Sequence, residues 1–125
     1  MRKMILALSL AALLNLPAAS ASAAEKGAAP SDVTLTGEVL DLACYVAHGA
    51  RGADHATCAL KCAEMGQPVG LAASDGKVYL LLADHADSSA FTKAKSFAGK
   101  KVEIKGEVAE KDGINGLTVH SVRTI

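Results

Sequence analysis

The sequence predicts an all-β domain, a five-stranded antiparallel barrel with accessory helices, in the chain that follows residue 32. Three observations predict it. Short apolar runs, several of them alternating with period two, recur from Val33 to Thr124. The pairs Asp75-Gly76, Asp112-Gly113 and Asn115-Gly116 separate runs in the way tight hairpin turns do, because Gly, Asn and Asp accept positive φ angles. Only two stretches carry helical spacing or helix-favouring composition.

The first strand is Val33-Thr34-Leu35-Thr36-Gly37-Glu38-Val39, which alternates apolar and polar. The second is the apolar run Gln67 to Ala73. Ser74-Asp75-Gly76-Lys77 turns the chain into the third, Lys77 to Ala83, with Val78-Tyr79-Leu80-Leu81-Leu82 as a buried core segment. The fourth is Lys101 to Ala109, with Val102, Ile104 and Val108 on one face and Gly106 interrupting it. Lys111-Asp112-Gly113 and Asn115-Gly116 form the next turn, and Leu117 to Thr124 is the last strand.

Between the third and fourth strands, Ala86, Ala90, Phe91, Ala94, Phe97 and Ala98 fall at helical spacing. A helix from Ala86 to Ala98 follows, with Gly99 suited to end it and with Phe91 and Phe97 expected in the core. Asp84 and Asp87 are placed to start it. A second helix is expected over Asp54 to Met65, where Ala, Leu, Lys, Glu and Met favour helix and Asp54 can cap the first turn. Five strands with a helix between the third and fourth is the order of an OB-fold barrel, here with a helical Cys/His insertion between strands one and two.

Two stretches carry a family resemblance. Gly99-Lys100-Lys101-Val102-Glu103-Ile104-Lys105-Gly106-Glu107-Val108, followed by Gly113-Ile114 and Leu117-Thr118-Val119, resembles the end of small secreted bacterial OB-fold proteins, whose shape is that of the tRNA-anticodon-type OB domain. Gly37-Glu38-Val39 with Asp41 and Cys44 resembles their opening. The resemblance spans Val33 to Ile125 and implies the barrel and export. It implies no particular activity, since this fold hosts many.

The N-terminus reads as a signal peptide over residues 1–24. Arg2 and Lys3 are a positive n-region, and Met4 to Leu16 is an almost unbroken apolar run too short to span a bilayer comfortably. After Pro17, Ala19-Ser20-Ala21 and Ala21-Ser22-Ala23 both fit an A-x-A cleavage site. Cleavage after Ala23 or Ala24 is expected, followed by a flexible leader over 25–32 and one domain over 33–125. The expected location is periplasmic or secreted, with no membrane span once the signal is removed. The whole chain has 13 basic and 13 acidic residues, and losing Arg2 and Lys3 leaves 11 basic, so the mature domain is slightly acidic. Such a surface is a poor match for nucleic acid, whose phosphates demand cations. Tyr45, Tyr79, Phe91 and Phe97 are the only aromatics, too few for a base-stacking platform.

The chemistry-bearing segment is Cys44-Tyr45-Val46-Ala47-His48, then His55-Ala56-Thr57-Cys58-Ala59-Leu60-Lys61-Cys62, then Met65. It holds every cysteine of the chain and two of its four histidines. On a helix, His55, Cys58 and Cys62 stand at i, i+3 and i+7 and share one face. Cys44 and His48, placed at the end of strand one and in the loop after it, can reach that face. Thiolates with imidazole suit copper or zinc. Cys44, His55, Cys58 and Cys62 are the expected ligands, with His48 or Met65 in reserve. The same thiols also permit a disulfide from Cys44 to Cys58 or Cys62, which would pin the insertion to the barrel and leave one thiol over. Thiol redox chemistry is a third possibility, although no C-x-x-C pair is present. No C-x-x-C-H haem attachment, nucleotide-binding loop or serine-hydrolase elbow occurs, so neither haem nor nucleotide is indicated. Binding, of a metal or of a periplasmic protein partner, is therefore expected ahead of catalysis. His85 and His120 lack Cys or His neighbours in sequence and read as surface residues.

Overall fold

A computed structural model describes residues 29–125. The predicted signal peptide and the first part of the leader lie outside the described residues. Five strands, β1 (Ser31–Asp41), β2 (Val69–Ala73), β3 (Val78–Ala83), β4 (Lys101–Lys111) and β5 (Ile114–Thr124), close into a barrel in the order β1-β2-β3-β5-β4. Helices α1 (Leu42–His48) and α2 (Ala56–Glu64) stand between β1 and β2, and α3 (Ser89–Lys95) stands between β3 and β4. The all-β class, the five strands and the helical insertion agree with the sequence reading, and the barrel is compatible with an OB-like fold.

β1 is the strand that closes the barrel. Its first part pairs with β4, from Ser31 opposite Val108 to Glu38 opposite Lys101. Its last part pairs with β2, from Gly37 opposite Ala73 to Asp41 opposite Val69. Gly37 belongs to both ladders, and a Cβ there would fall 2.2 Å from the Ala72 carbonyl oxygen, so only glycine lets the backbones meet at this corner. β3 and β5 run parallel, Leu80 opposite Gly116 through Ala83 opposite Val119. This corrects a wholly antiparallel barrel: the helical crossover through α3 removes the hairpin constraint and lets β5 join β3 in the parallel sense.

The core is the barrel interior. Leu71, Ile104, Leu117, Val102 and Val119 are fully buried, with Val39, Val69 and Leu81 beside them. Burying each such side chain is worth about 1.5–3 kcal/mol. Tyr79 is buried too, and its hydroxyl donates to Asp75 Oδ2 at 2.7 Å, so the β2–β3 turn is tied to the strand that leaves it.

Several elements differ from expectation. β1 begins at Ser31, inside the predicted leader, because Ser31 and Asp32 already pair with β4. Asn115 and Gly116 lie within β5, and the turn is made by Asp112 and Gly113 alone, with φ of 52° and 82°. α3 is shorter than Ala86 to Ala98, since Asp84 and Asp87 fold the preceding segment into turns by accepting from the Ala86 and Ser89 amides. The buried residues of this segment are Ala94 and Ala98. Phe91 and Phe97 are only half-buried against the core edge, which corrects their predicted burial. Gly99, at φ 80°, follows the end of α3 by several residues and donates to the Val39 carbonyl at 2.7 Å.

Candidate metal centre

The insertion leaves the barrel at its best-buried strand end. Val39, Leu40 and Asp41 are almost completely inaccessible, and the next residue starts α1. The Asp41 side chain caps that helix: Oδ1 accepts from the Ala43 amide at 2.9 Å and the Cys44 amide at 3.4 Å. Gly49, at φ 68°, ends it. Cys44 therefore sits on a capped helical turn rather than at the end of strand one, where it was expected, and this turn brings its thiol near His55 and Cys58 and near Asp41 and Cys62.

The return leg is positioned by small residues. A 3-10 turn, Ala53–His55, leads into α2, and Asp54 makes no cap there. Ala59 and Ala63 bury one face of α2 against the barrel. Cys58 and Cys62 stand one residue before each of them, four apart, so both lie beside the buried face. The Gln67 amide donates to the Cys62 carbonyl at 3.0 Å and the Leu42 amide to the Pro68 carbonyl at 2.9 Å, which fastens both ends of the insertion together. Between α1 and the 3-10 turn, buried Glu38 accepts from the Gly52 amide and from the Arg51 guanidinium, whose Nη2 lies 3.3 Å from Oε2. This clasp holds the loop that delivers His55.

These elements bring the ligand types together in two groups. Cys44, His55 and Cys58 place one donor atom each within 4.8 Å of one another. Asp41, Cys44 and Cys62 do the same. Cys44 is common to both. Among the described residues, the predicted set Cys44, His55, Cys58 and Cys62 does not form one such group: Cys58 falls with His55 and Cys62 with Asp41. All three cysteines are free thiols. His48 is exposed at the end of α1 and belongs to neither group, and Met65, at the end of α2, is 74% exposed. His85 is exposed, and His120 lies on the surface with Nε2 3.4 Å from Asp84 Oδ2.

Asp41 is the member that the expected ligand set lacks. Its signal was available: an N-cap Asp, a seven-residue apolar segment and a closing glycine. Burial works to raise its carboxyl, but hydrogen bonds from the Cys44 and Cys62 thiols and from the Cys44 and Ala43 amides outweigh it and hold the group below its ordinary value. In return, the hydrogen bond to Asp41, followed by burial and the carboxylate's charge, pushes the Cys44 thiol up to about 12. Cys62 is raised by the same neighbour. This carboxylate thus favours the protonated form of both thiols. Asp41 Oδ2 lies 3.9 Å from His55 Nε2, and both atoms are buried without an N–H or O–H partner. Apart from the Cys44 and Cys62 thiols that face the Asp41 carboxylate, nothing satisfies these buried atoms, and such atoms are rare in folded proteins.

Among the described residues, no helix is long and apolar enough to cross a membrane. Comparison with protein-family models, with curated proteins and with solved structures finds no match to this chain.

Proposed function

We propose that this protein is an exported barrel that binds a soft metal ion, copper or zinc, at the end of β1. The observation that carries the proposal is the convergence of Cys44, His55 and Cys58 donor atoms within 4.8 Å, with Cys62 reached through the shared Cys44. Two thiolates and an imidazole suit Cu(I) or Zn(II), and small adjustments of side-chain rotamers bring such atoms to the 2.0–2.3 Å bond lengths zinc requires, about. The buried, unpartnered Nε2 of His55 supports the same reading. Export is supported by Arg2, Lys3, the apolar run to Leu16 and the alanine-rich cleavage sites. On this reading the protein holds the ion.

The test is competition for Cu(I) and Zn(II) against chromophoric chelators, run on fully reduced protein. Stoichiometric binding is expected, and a variant with Cys44, Cys58 and Cys62 all changed to Ser should lose it. Equal binding by the wild type and that variant overturns the proposal. A second reading has its own observation: Cys44 Sγ lies near both Cys58 and Cys62, so an oxidising compartment could close a disulfide to either and make the insertion a structural clasp for an interaction module. In that case two thiols resist alkylation until reduction.

A further inference from the structure

We propose that the cluster is a two-ion centre, in which the Cys44 thiolate bridges a pair of zinc-type divalent ions, one held with His55 and Cys58 and the other with Asp41 and Cys62. This rests on the metal-binding reading above and extends it to a second, chemically different half-site.

Geometry is the first argument. The donors fall into two triads that share a single atom, the Cys44 sulfur, rather than into one four-donor shell. A thiolate has the lone pairs to bind two ions, and Cys44 is the one cysteine placed to do so. Burial is the second argument. Asp41 is 1% exposed, and its two oxygens are divided between tasks: Oδ1 caps α1, while Oδ2 has no N–H or O–H donor. Only the weak thiol donors of Cys44 and Cys62 face the carboxylate there, and a cation is a stronger partner for a buried carboxylate oxygen than an S–H.

Charge is the third argument. With one divalent ion in the His55 half-site, the Cys44 and Cys58 thiolates balance its charge and the buried Asp41 carboxylate is left uncompensated; filling the second half-site ionises Cys62 and brings the set to three thiolates and one carboxylate, four negative charges. Two divalent ions balance the set. Donor chemistry then selects the ion: a carboxylate beside thiolates suits Zn(II), whereas Cu(I) has little use for a hard oxygen. Each ion has three protein donors and one remaining position. Cys58 is exposed, so the His55 half-site is the one open to solvent and to an incoming ligand.

The test counts ions. Reduced protein is titrated with Zn(II) against a chromophoric chelator, and the stoichiometry is read by native mass spectrometry. Two ions per chain are expected for the wild type. Asp41→Asn retains the Oδ1 acceptor that caps α1 but weakens the carboxylate half-site, and Cys62→Ala removes a ligand from it without touching the cap. Each should bind one ion. His55→Ala should also bind one, and Cys44→Ser should bind both ions at least tenfold more weakly. In Co(II)-loaded protein, filling the second position should attenuate the high-spin resonance of the first through the shared sulfur. One ion per wild-type chain, unaltered in Asp41→Asn and Cys62→Ala, overturns the two-ion centre while leaving the single-ion reading standing. Two ions whose resonances simply add overturn the bridge. A wild type that binds no Zn(II) stoichiometrically overturns both readings together.

Discussion

Gly99 and Ala56 are in backbone contact: a Cβ on Gly99 would lie 2.4 Å from Ala56 Cα and 2.6 Å from its Cβ. Ala56 is the first residue of α2, and Gly99 precedes β4, so this contact seats the cysteine-bearing helix on the barrel. Gly99 also stands at φ 80°, where an L side chain is strained.

Gly99→Ala therefore meets two penalties, a left-handed backbone and a clash with backbone that cannot swing away. The expected loss is on the order of 3 kcal/mol, measured by denaturant unfolding. Because α2 must shift to make room, affinity for Zn(II) should fall as well. Gly76→Ala, whose Cβ would meet nothing within 4 Å but which carries φ 87°, separates the two terms: it should cost about 1–2 kcal/mol and leave metal affinity unchanged.

The Tyr79–Asp75 hydrogen bond gives the fold a pH signature away from the Cys/His cluster. The bond from Tyr79, then that from the Lys77 amide, hold the Asp75 carboxyl below its ordinary 3.8. Stabilisation from this source is complete above that value and is lost as pH falls through the lowered folded value. The same bond pushes Tyr79 from 10.0 up to about 12. Its contribution is complete below 10.0 and is lost as pH rises toward about 12. Thermal unfolding followed across this range should show both limbs, and Tyr79→Phe should flatten the alkaline one.

Glu38→Ala tests the clasp on the insertion loop. It strips the Gly52 amide and the Arg51 guanidinium of their acceptor and should cost about 1–3 kcal/mol. Amide exchange at Gly52 should accelerate more than exchange in the barrel strands. Glu38→Gln keeps an acceptor oxygen for Gly52 and should recover most of the protection.

Much of the fold was legible because its signals are local. The alternation of Val33 to Val39 and of Lys101 to Ala109, with Asp-Gly at the turns, places strands whatever surrounds them. What escaped depends on neighbours distant in sequence. The parallel β3–β5 pair follows from how the α3 crossover packs, which no dipeptide encodes. The half-burial of Phe91 and Phe97 follows from Ala94 and Ala98 taking the contact face, since small residues let the segment sit closer than phenylalanines would allow. α1 was missed because Leu42 to His48 is too short for a periodicity to declare itself directly after a strand, and only its two caps distinguish it from loop. At the candidate site, residue types singled out Cys44, His55, Cys58 and Cys62 as possible ligands. Their division between two triads, and the place of Asp41 in one of them, depend on the angle between α1 and α2, which only the barrel end sets.

The Cys/His cluster makes the sharpest prediction, since metal binding and disulfide formation demand opposite behaviour from the same three thiols. If they are ligands, reduced metal-free protein offers three alkylatable thiols, and bound Zn(II) should protect all of them. Protection should fail as pH falls, because thiolate and neutral imidazole are the binding forms and protons compete for both. The Asp41 carboxylate sharpens this competition, since it holds the Cys44 thiol up to about 12 until a cation takes the proton's place. His55→Ala should weaken binding and leave the barrel folded, for His55 lies outside the hydrophobic core, and each cysteine variant should weaken it further. If the insertion is instead a clasp, one thiol reacts before reduction and two only after it, Zn(II) protects none, and His55→Ala changes neither number. Alkylation mass shifts of one preparation, taken with and without Zn(II) and with and without reductant, decide between the two. Full reactivity in the presence of Zn(II) at neutral pH removes the metal centre from this protein.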